Sequence, residues 1–519
     1  MGCWRPVCVS TAMLEHGRHV NRADAHAHAM PTRLIQACWS AIDRHATALL
    51  WGAIIVYIIV FAILSCLKLT WLRQGFDIAG NEQVIWNTLH GRPFRTSIFA
   101  FMQYDFDDGP VLLELPLALL YGIHQSPYTL LVLQTLALGL AAWPIYLLGR
   151  DTLAAPWQAL ALALIYLLHP TTQHINMYEF QLRSFMIPFA VGALLFLRRG
   201  QLVPYLICLL LMLCTKTEAG FALVAFGVYA LILRRAWPFA VLPLLIGPLW
   251  VVIALGVIVP RVSEGDFITQ IYSYGRLGNS VGEVIWTGLT NPLLLFQTIA
   301  TPPKLSFVAT LLGLQGFLAL LSPIALLALP VLLMNLIAPN AVQFSLNYQY
   351  PALIYPFLIV AAAEGLVRLA GWLGRAPQSR QLIISVGTGL LLVIALGANI
   401  YLNNVVLGLA RNHEPPARVA DAQAIIAQVP PDAALAASSF LAPHLAQREQ
   451  LYFFPGNKSY PLRYVEERAE YLVADQRPPS GNRQERELLA DFLRRPDWEV
   501  LAQQGDFVLL RRRGNVQIP

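Results

Sequence analysis

The sequence predicts an all-α polytopic membrane protein of about eleven transmembrane helices, with a small α/β extracytoplasmic C-terminal domain. Three observations predict the architecture. The 519 residues are 56% hydrophobic and only 13% charged, about half the charged share of a soluble globular protein. Apolar runs long enough to span recur from residue 47 to residue 402. Finally, arginine and carboxylate sort to opposite ends of those runs. Arg150, Arg198-Arg199, Arg234-Arg235, Arg368 and Arg375 close one set of ends, while Asp77, Glu82, Asp105, Asp107, Asp108, Glu179, Arg183, Lys216 and Glu218 crowd the other. Basic loops stay in the cytoplasm during insertion, so the acidic and mixed clusters face outward, on one side of one membrane.

The elements follow in order. Residues 1–46 are polar and rich in histidine, and read as a disordered cytoplasmic tail. Residues 47–410 form the transmembrane domain. The first span covers 47–68, with Arg33 and Arg44 before it setting the N-terminus inside. An outer loop follows over 69–126. Its apolar stretch 110–124 carries Glu114 and Pro116 and is short, so it reads as an interfacial or re-entrant helix. Spanning it would flip every later loop and put the arginine ends outside. Further spans are read at 127–149, 154–170, 184–199, 202–216, 218–233 and 237–259, then, after an outer loop at 260–303, at 304–320, 322–339, 351–371 and 381–402. That topology places the C-terminus outside and the protein in the plasma (inner) membrane.

From residue 411 the chain becomes charged and proline-bearing. Helical pattern at 417–428 precedes a strand at 434–438, a helix near 440–447 and an apolar strand at 451–454. A strand at 472–474, a helix at 484–495 and a hairpin of 498–502 with 507–511 complete an α/β domain over 411–519. None of the six cysteines lies in an outer loop or in this domain, so no disulfide framework is expected. No basic stripe marks a soluble surface, which excludes nucleic acid as a partner; membrane lipids are the expected surroundings.

Chemistry is sought on the outer side. Asp77 sits just past the first span, where a carboxylate can act as general base toward a hydroxyl at the interface; an N-cap is its bland role. Glu82 follows on the same helix. Asp105, Asp107 and Asp108 pack three carboxylates into four residues, a set that suits Mg²⁺ or Mn²⁺, or a solvated loop tip. Gln181 and Arg183 lie in the turn between two spans. Arg183 has the fork that fits phosphate, or it neutralises Glu179 four residues away. Lys216 stands at an outer edge against the positive-inside tendency, so it is paired or functional, with Glu218 as its local partner. Tyr348 and Tyr350 precede a late span, where an aromatic belt also explains them.

Taken together, Phe76-Asp77, Glu82-Gln83, Trp86-Asn87, Asp107-Asp108-Gly109-Pro110, Leu131-Val132-Leu133-Gln134, Pro144-Ile145-Tyr146-Leu147, Phe180-Gln181-Leu182-Arg183, Lys216-Thr217-Glu218 and Tyr348-Gln349-Tyr350 resemble the motifs of a family of prokaryotic membrane proteins, domain of unknown function 2079. The resemblance runs from about residue 70 to residue 510. That family in turn resembles, in layout, the C-type glycosyltransferases, which use polyprenyl-phosphate sugars. The resemblance implies an enzyme that transfers a sugar from a polyprenyl-phosphate donor to an envelope acceptor. Asp77, with Glu82, would take the acceptor proton. Arg183 and Lys216 would stabilise the departing phosphate, with Gln181, Glu218, Tyr348 and Tyr350 binding substrate. Asp107, Gln181, Arg183 and Thr217 depart from the family's residues. They leave open a non-catalytic scaffold that binds a lipid-linked glycan. A transporter is the weaker alternative, since the mid-span positions carry almost no charge.

Overall fold

A computed structural model of the chain describes residues 22–98, 111–262, 274–402, 405–411, 414–456, 462–478, 481 and 483–513. Eleven helices lead the fold: α1 (Arg22–Thr70), α2 (Phe76–Leu89), α3 (Glu114–Tyr121), α4 (Pro127–Leu140), α5 (Ala142–Thr152), α6 (Pro156–Leu168), α7 (Pro170–Tyr178), α8 (Arg183–Arg199), α9 (Leu202–Leu213), α10 (Ala219–Ile232) and α11 (Trp237–Ile253). Proline at the first turn starts α4, α6, α7 and α11, a position whose N–H needs no helical partner.

The helix begins earlier than the sequence suggests. Residues 22–46, assigned to a disordered tail, extend α1 at its N-terminal end. Among the described residues, five helices are long and apolar enough to cross a membrane: Ser40–Thr70, Pro127–Thr152, Trp237–Arg261, Tyr350–Leu373 and Pro377–Leu402. Other expected spans are shorter or broken. The 304–320 segment is helical only to Gly313, then turns through Gly316 and Phe317, both at positive φ. The 322–339 segment opens as 3-10 helix before an α-helix at Leu329–Ile337. The apolar stretch 110–124 forms only the eight-residue α3, consistent with an interfacial helix. Where α10 and α11 cross, Gly220 and Gly247 face each other, and small residues let the backbones approach.

The two ends of this bundle are chemically distinct. At one end Arg198 pairs with Glu364, Arg199 with Asp151, and Arg368 with Glu364, while Arg235 donates to the Arg198 carbonyl. Opposite them, at the far end of the 17-residue α8, lie Arg183 and helix α2.

The C-terminal domain is a five-stranded sheet in the order β2-β1-β3-β5-β4, from β1 (Leu435–Ser438), β2 (Leu451–Phe454), β3 (Tyr471–Asp475), β4 (Trp498–Gln504) and β5 (Phe507–Arg512). β1 runs parallel to β2 and β3, and β3, β5 and β4 are antiparallel. Alternation along the strands sends successive side chains to opposite faces. Leu435, Ala437, Leu451, Val473 and Leu509 share a core with Leu72 and Ala79 of the membrane domain. Ala436, Tyr452, Leu472 and Leu510 pack on Leu489, Phe492 and Trp498. The sheet is therefore fused to α2 through one apolar face.

Candidate active site

The site is built where α2, the α7–α8 junction and the start of α10 converge. Asp77 occupies the first turn of α2. The chain leaving α7 is extended at Glu179 (φ −157°, ψ −179°), and the Glu179 and Gln181 side chains both reach the first turn of α2. Gln181 Nε2 donates to Asp77 Oδ2 at 2.8 Å. Burial pushes the Asp77 carboxyl above its ordinary range, against the Gln181 hydrogen bond and the Lys216 and Arg183 cations, which favour its charged form. Asp77, Gln181, Arg183 and Lys216, spread over 140 positions of sequence, thus share one electrostatic neighbourhood.

Arg183 forms a fork on Glu218, through Nε at 2.7 Å and Nη2 at 2.9 Å, and its guanidinium lies over the Tyr350 ring, 5.1 Å from the centroid. Its carboxylate partner is Glu218 rather than Glu179, because α8 begins at Arg183 and the extended junction turns Glu179 away. Tyr348 meets Tyr178 edge-on at 5.1 Å, so both tyrosines belong to the site.

Glu179 is the residue whose part was missed. Its Oε2 accepts from the Ile78 amide at 3.1 Å. Burial first, and the Asp77 charge second, push its carboxyl up to about 8, opposed by Lys68 and by the amides of Ile78 and Asp77. Lys68 Nζ donates to the carbonyls of Met177 at 2.7 Å and Tyr178 at 2.5 Å, fixing this junction to α1. The argument that singled out Lys216, a cation against the positive-inside tendency, also applies to Lys68.

Glu82 goes elsewhere. Five residues on from Asp77, it lies about 140° around α2, buried against the C-terminal domain. Tyr121 Oη donates to its Oε1 at 2.7 Å and Gln447 Nε2 at 3.1 Å. Burial pushes it up to about 8, against those two hydrogen bonds. Pairing it with Asp77 as a second catalytic acid does not fit this geometry. Asp105, Asp107 and Asp108 lie outside the described residues. Among the described residues no group of three or more His, Cys, Asp or Glu side chains is placed to hold a metal ion.

An apolar cavity of ≈ 670 Å³ opens at Gly220 and Phe221, two and three residues beyond Glu218 along the chain; the charged residues themselves do not line it. Pro248 and Val251 of α11, Ile285 and Pro330 complete its walls.

A helical bundle carrying a buried, charged cluster at one end and a sheet-bearing domain over it defines a class of membrane protein. The chain belongs to the DUF2079 family of predicted membrane proteins, whose family model matches residues 68–509. No curated protein matches it. Among solved structures it is similar to ArnT from Cupriavidus metallidurans bound to undecaprenyl phosphate, with a TM-score of 0.52 and 13% identity, covering 90% of this chain and 99% of that one. The apo form of ArnT gives a TM-score of 0.52 and 15% identity, covering 90% and 98%. The archaeal oligosaccharyltransferase AglB from Archaeoglobus fulgidus, in complex with an inhibitory peptide and a dolichol-phosphate, gives a TM-score of 0.43 and 14% identity, covering 90% and 75%.

Proposed function

We propose that this protein transfers a sugar from a polyprenyl-phosphate carrier to an acceptor hydroxyl at the outer face of the plasma membrane. One observation carries the reading: a buried carboxylate, Asp77, lies in the field of Lys216 and Arg183, and an apolar cavity of ≈ 670 Å³ starts at Gly220, two residues along the chain from Glu218. The carrier's isoprenoid chain suits the cavity that α10 and α11 form with Ser280, Ile285 and Pro330, and its phosphate suits the cations. The fold shared with ArnT, which holds undecaprenyl phosphate, supports the same ligand class.

The step balances without further reactants. The acceptor hydroxyl oxygen attacks the anomeric carbon, and the bond from that carbon to the phosphate oxygen breaks. Polyprenyl phosphate leaves with the electron pair, and the hydroxyl proton passes to Asp77. A base whose carboxyl is raised by burial holds that proton more firmly, which suits its task near neutral pH. Lys216 and Arg183 stabilise the charge growing on the leaving phosphate as preorganised cations.

A second reading is a non-catalytic binder of lipid-linked glycan. The Arg183–Glu218 fork favours it, because it cancels within the protein one of the charges a phosphate would use. Purified protein in proteoliposomes, given a radiolabelled polyprenyl-phosphate sugar and envelope acceptors, separates the two. Transferred label that disappears in Asp77→Asn is the expected result. Label bound but never consumed by the native protein overturns the enzymatic reading.

A further inference from the structure

The first amides of a helix have no partners within it. At α2 the local cap is missing, because Gly75 precedes the helix and has no side chain to offer. The cap arrives from another part of the chain. Glu179 Oε2 accepts from the Ile78 amide, the neighbouring Asp77 amide favours the charged form of the same carboxyl, and an acidic side chain at a helix N-terminus also meets the favourable end of the dipole. Glu179 Oε1 is turned toward Gly75. A Cβ added to Gly75 would stand 3.0 Å from that oxygen and 2.9 Å from Ser439 Oγ of the C-terminal domain.

Gly75 is thus pinched between a membrane-domain carboxylate and the loop leaving β1. That loop is itself held: Ser438 O accepts from Leu441 N at 2.9 Å, and Ser438 Oγ accepts from Asp475 N at 3.2 Å. The grip continues on both sides. Phe76 packs on Phe453 with ring centroids 4.4 Å apart. Gln83 Nε2 donates to the Arg448 and Glu449 carbonyls at 3.1 Å. Arg73 pairs with Glu414 at 2.9 Å, and Glu414 with Arg418.

We infer that the C-terminal α/β domain is a working part of the candidate active site: Glu179 and the Ser439 loop grip Gly75 from two sides and set the direction in which α2 presents Asp77. Glu179 and Ser439 are positioning residues in this scheme. Their catalytic consequence rests on the reading of Asp77 as the base, whereas the grip itself does not.

The test uses the full chain in detergent or proteoliposomes. Hydrogen exchange at the Asp77 and Ile78 amides is measured beside kcat and KM for a polyprenyl-phosphate sugar. Glu179→Ala is expected to speed exchange at both amides about tenfold, the scale of one intramolecular hydrogen bond. It lowers kcat by a similar factor and leaves KM within about twofold. Glu179→Gln keeps an acceptor oxygen and recovers most of both losses, and Ser439→Trp, a wedge from the other domain, reproduces them. Should Glu179→Ala not fold, the Gln and Trp variants carry the test, because the wedge alone must loosen the two amides. Native exchange rates in Glu179→Ala and in Ser439→Trp overturn the grip whatever the activity. Fast exchange with unchanged kcat, or a loss confined to KM, overturns the positioning role. Native protein that transfers no sugar, with the exchange pattern as stated, sinks the transferase reading and leaves the grip standing.

Discussion

Helix α8 carries arginine at both ends, and the ends are not alike. At one, Arg199 pairs with Asp151 while both stay about a third exposed, at 35% and 34%. At the other, Arg183 and Glu218 pair at 12% and 13% exposure, with Asp77 and Lys216 close by. Both are arginine–carboxylate pairs, yet water screens one and is largely excluded from the other. A charge bias that orients a helix in the membrane needs only exposed cations. Chemistry on a phosphate-linked sugar needs charges that act at full strength, out of water. Burial therefore separates the topological end from the chemical end, and the predictions test that separation.

The largest effect belongs to Asp77. Removing a general base costs roughly 10²- to 10⁴-fold in rate, so Asp77→Asn is expected to lose transfer on that scale while membrane insertion and thermal stability stay native. Initial rates in proteoliposomes, with circular dichroism melting alongside, check it; a rate within a few-fold of native would remove Asp77 from the reaction.

Next comes the buried pair. Arg183→Ala leaves the Glu218 carboxylate, 13% exposed, without its fork; breaking a fully buried pair from one side costs roughly 3–5 kcal/mol, an upper bound for this part-buried one. A marked drop in melting temperature is expected. Arg183→Met combined with Glu218→Leu should recover much of it, since neither charge is then stranded. A single variant that melts like the native protein would show that this end of α8 is wetter than its burial indicates.

A smaller effect follows from Glu82. Its carboxyl is raised from 4.5 to about 8 by burial, so the folded state holds a proton that the unfolded chain releases. The stability from this group is fully present below pH 4.5 and is lost as pH rises through about 8. Melting temperature is expected to fall between those values, and Glu82→Gln, which stays neutral, should flatten its share of the slope. Equal slopes in the two proteins would mean that Glu82 is already ionised against Tyr121 and Gln447.

Much of this was legible in the sequence, for identifiable reasons. The strand at 451–454 has the bounds read for it, and the hairpin of β4 and β5 was marked by its pattern, because a strand packed on both faces reads as a short continuous apolar run. Asp77, Gln181, Arg183, Lys216, Glu218, Tyr348 and Tyr350 stood out as polar or amphipathic residues at the ends of apolar runs, and the structure brings them together. Glu82 was drawn to Asp77 by nearness along the chain, which says little about helix face. The role of Glu179 was hidden for a different reason: the amide it caps at Ile78 lies 101 residues away, and capping across such a distance leaves no local pattern. Only its two-residue spacing from Gln181 hinted at a shared side. Lengths were harder still. The sequence reads hydrophobicity, whereas helix ends inside the bundle are set by proline, positive-φ turns and packing, as at Gly316 and Phe317.

The smallest prediction returns to the exposed end of α8. Arg199 donates to Asp151 through Nε at 2.8 Å and Nη2 at 3.1 Å, a geometry as good as that of Arg183 on Glu218. If geometry alone set the energy, Arg199→Ala and Arg183→Ala would destabilise equally. Exposed pairs contribute only about 0–1 kcal/mol, because water solvates each partner when the other is removed and salt screens what remains. Arg199→Ala is therefore expected to shift the melting temperature little, and less in high salt, while the Arg183→Ala deficit persists in high salt. The variant's other effect should be on orientation, read by reporter fusions after Arg150, Arg199 and Arg235, since it removes one cation from the end that anchors the bundle. Equal melting losses from the two arginines would collapse the distinction between the ends. A large gap that survives salt would establish that exclusion of water, rather than pairing, marks the chemical end.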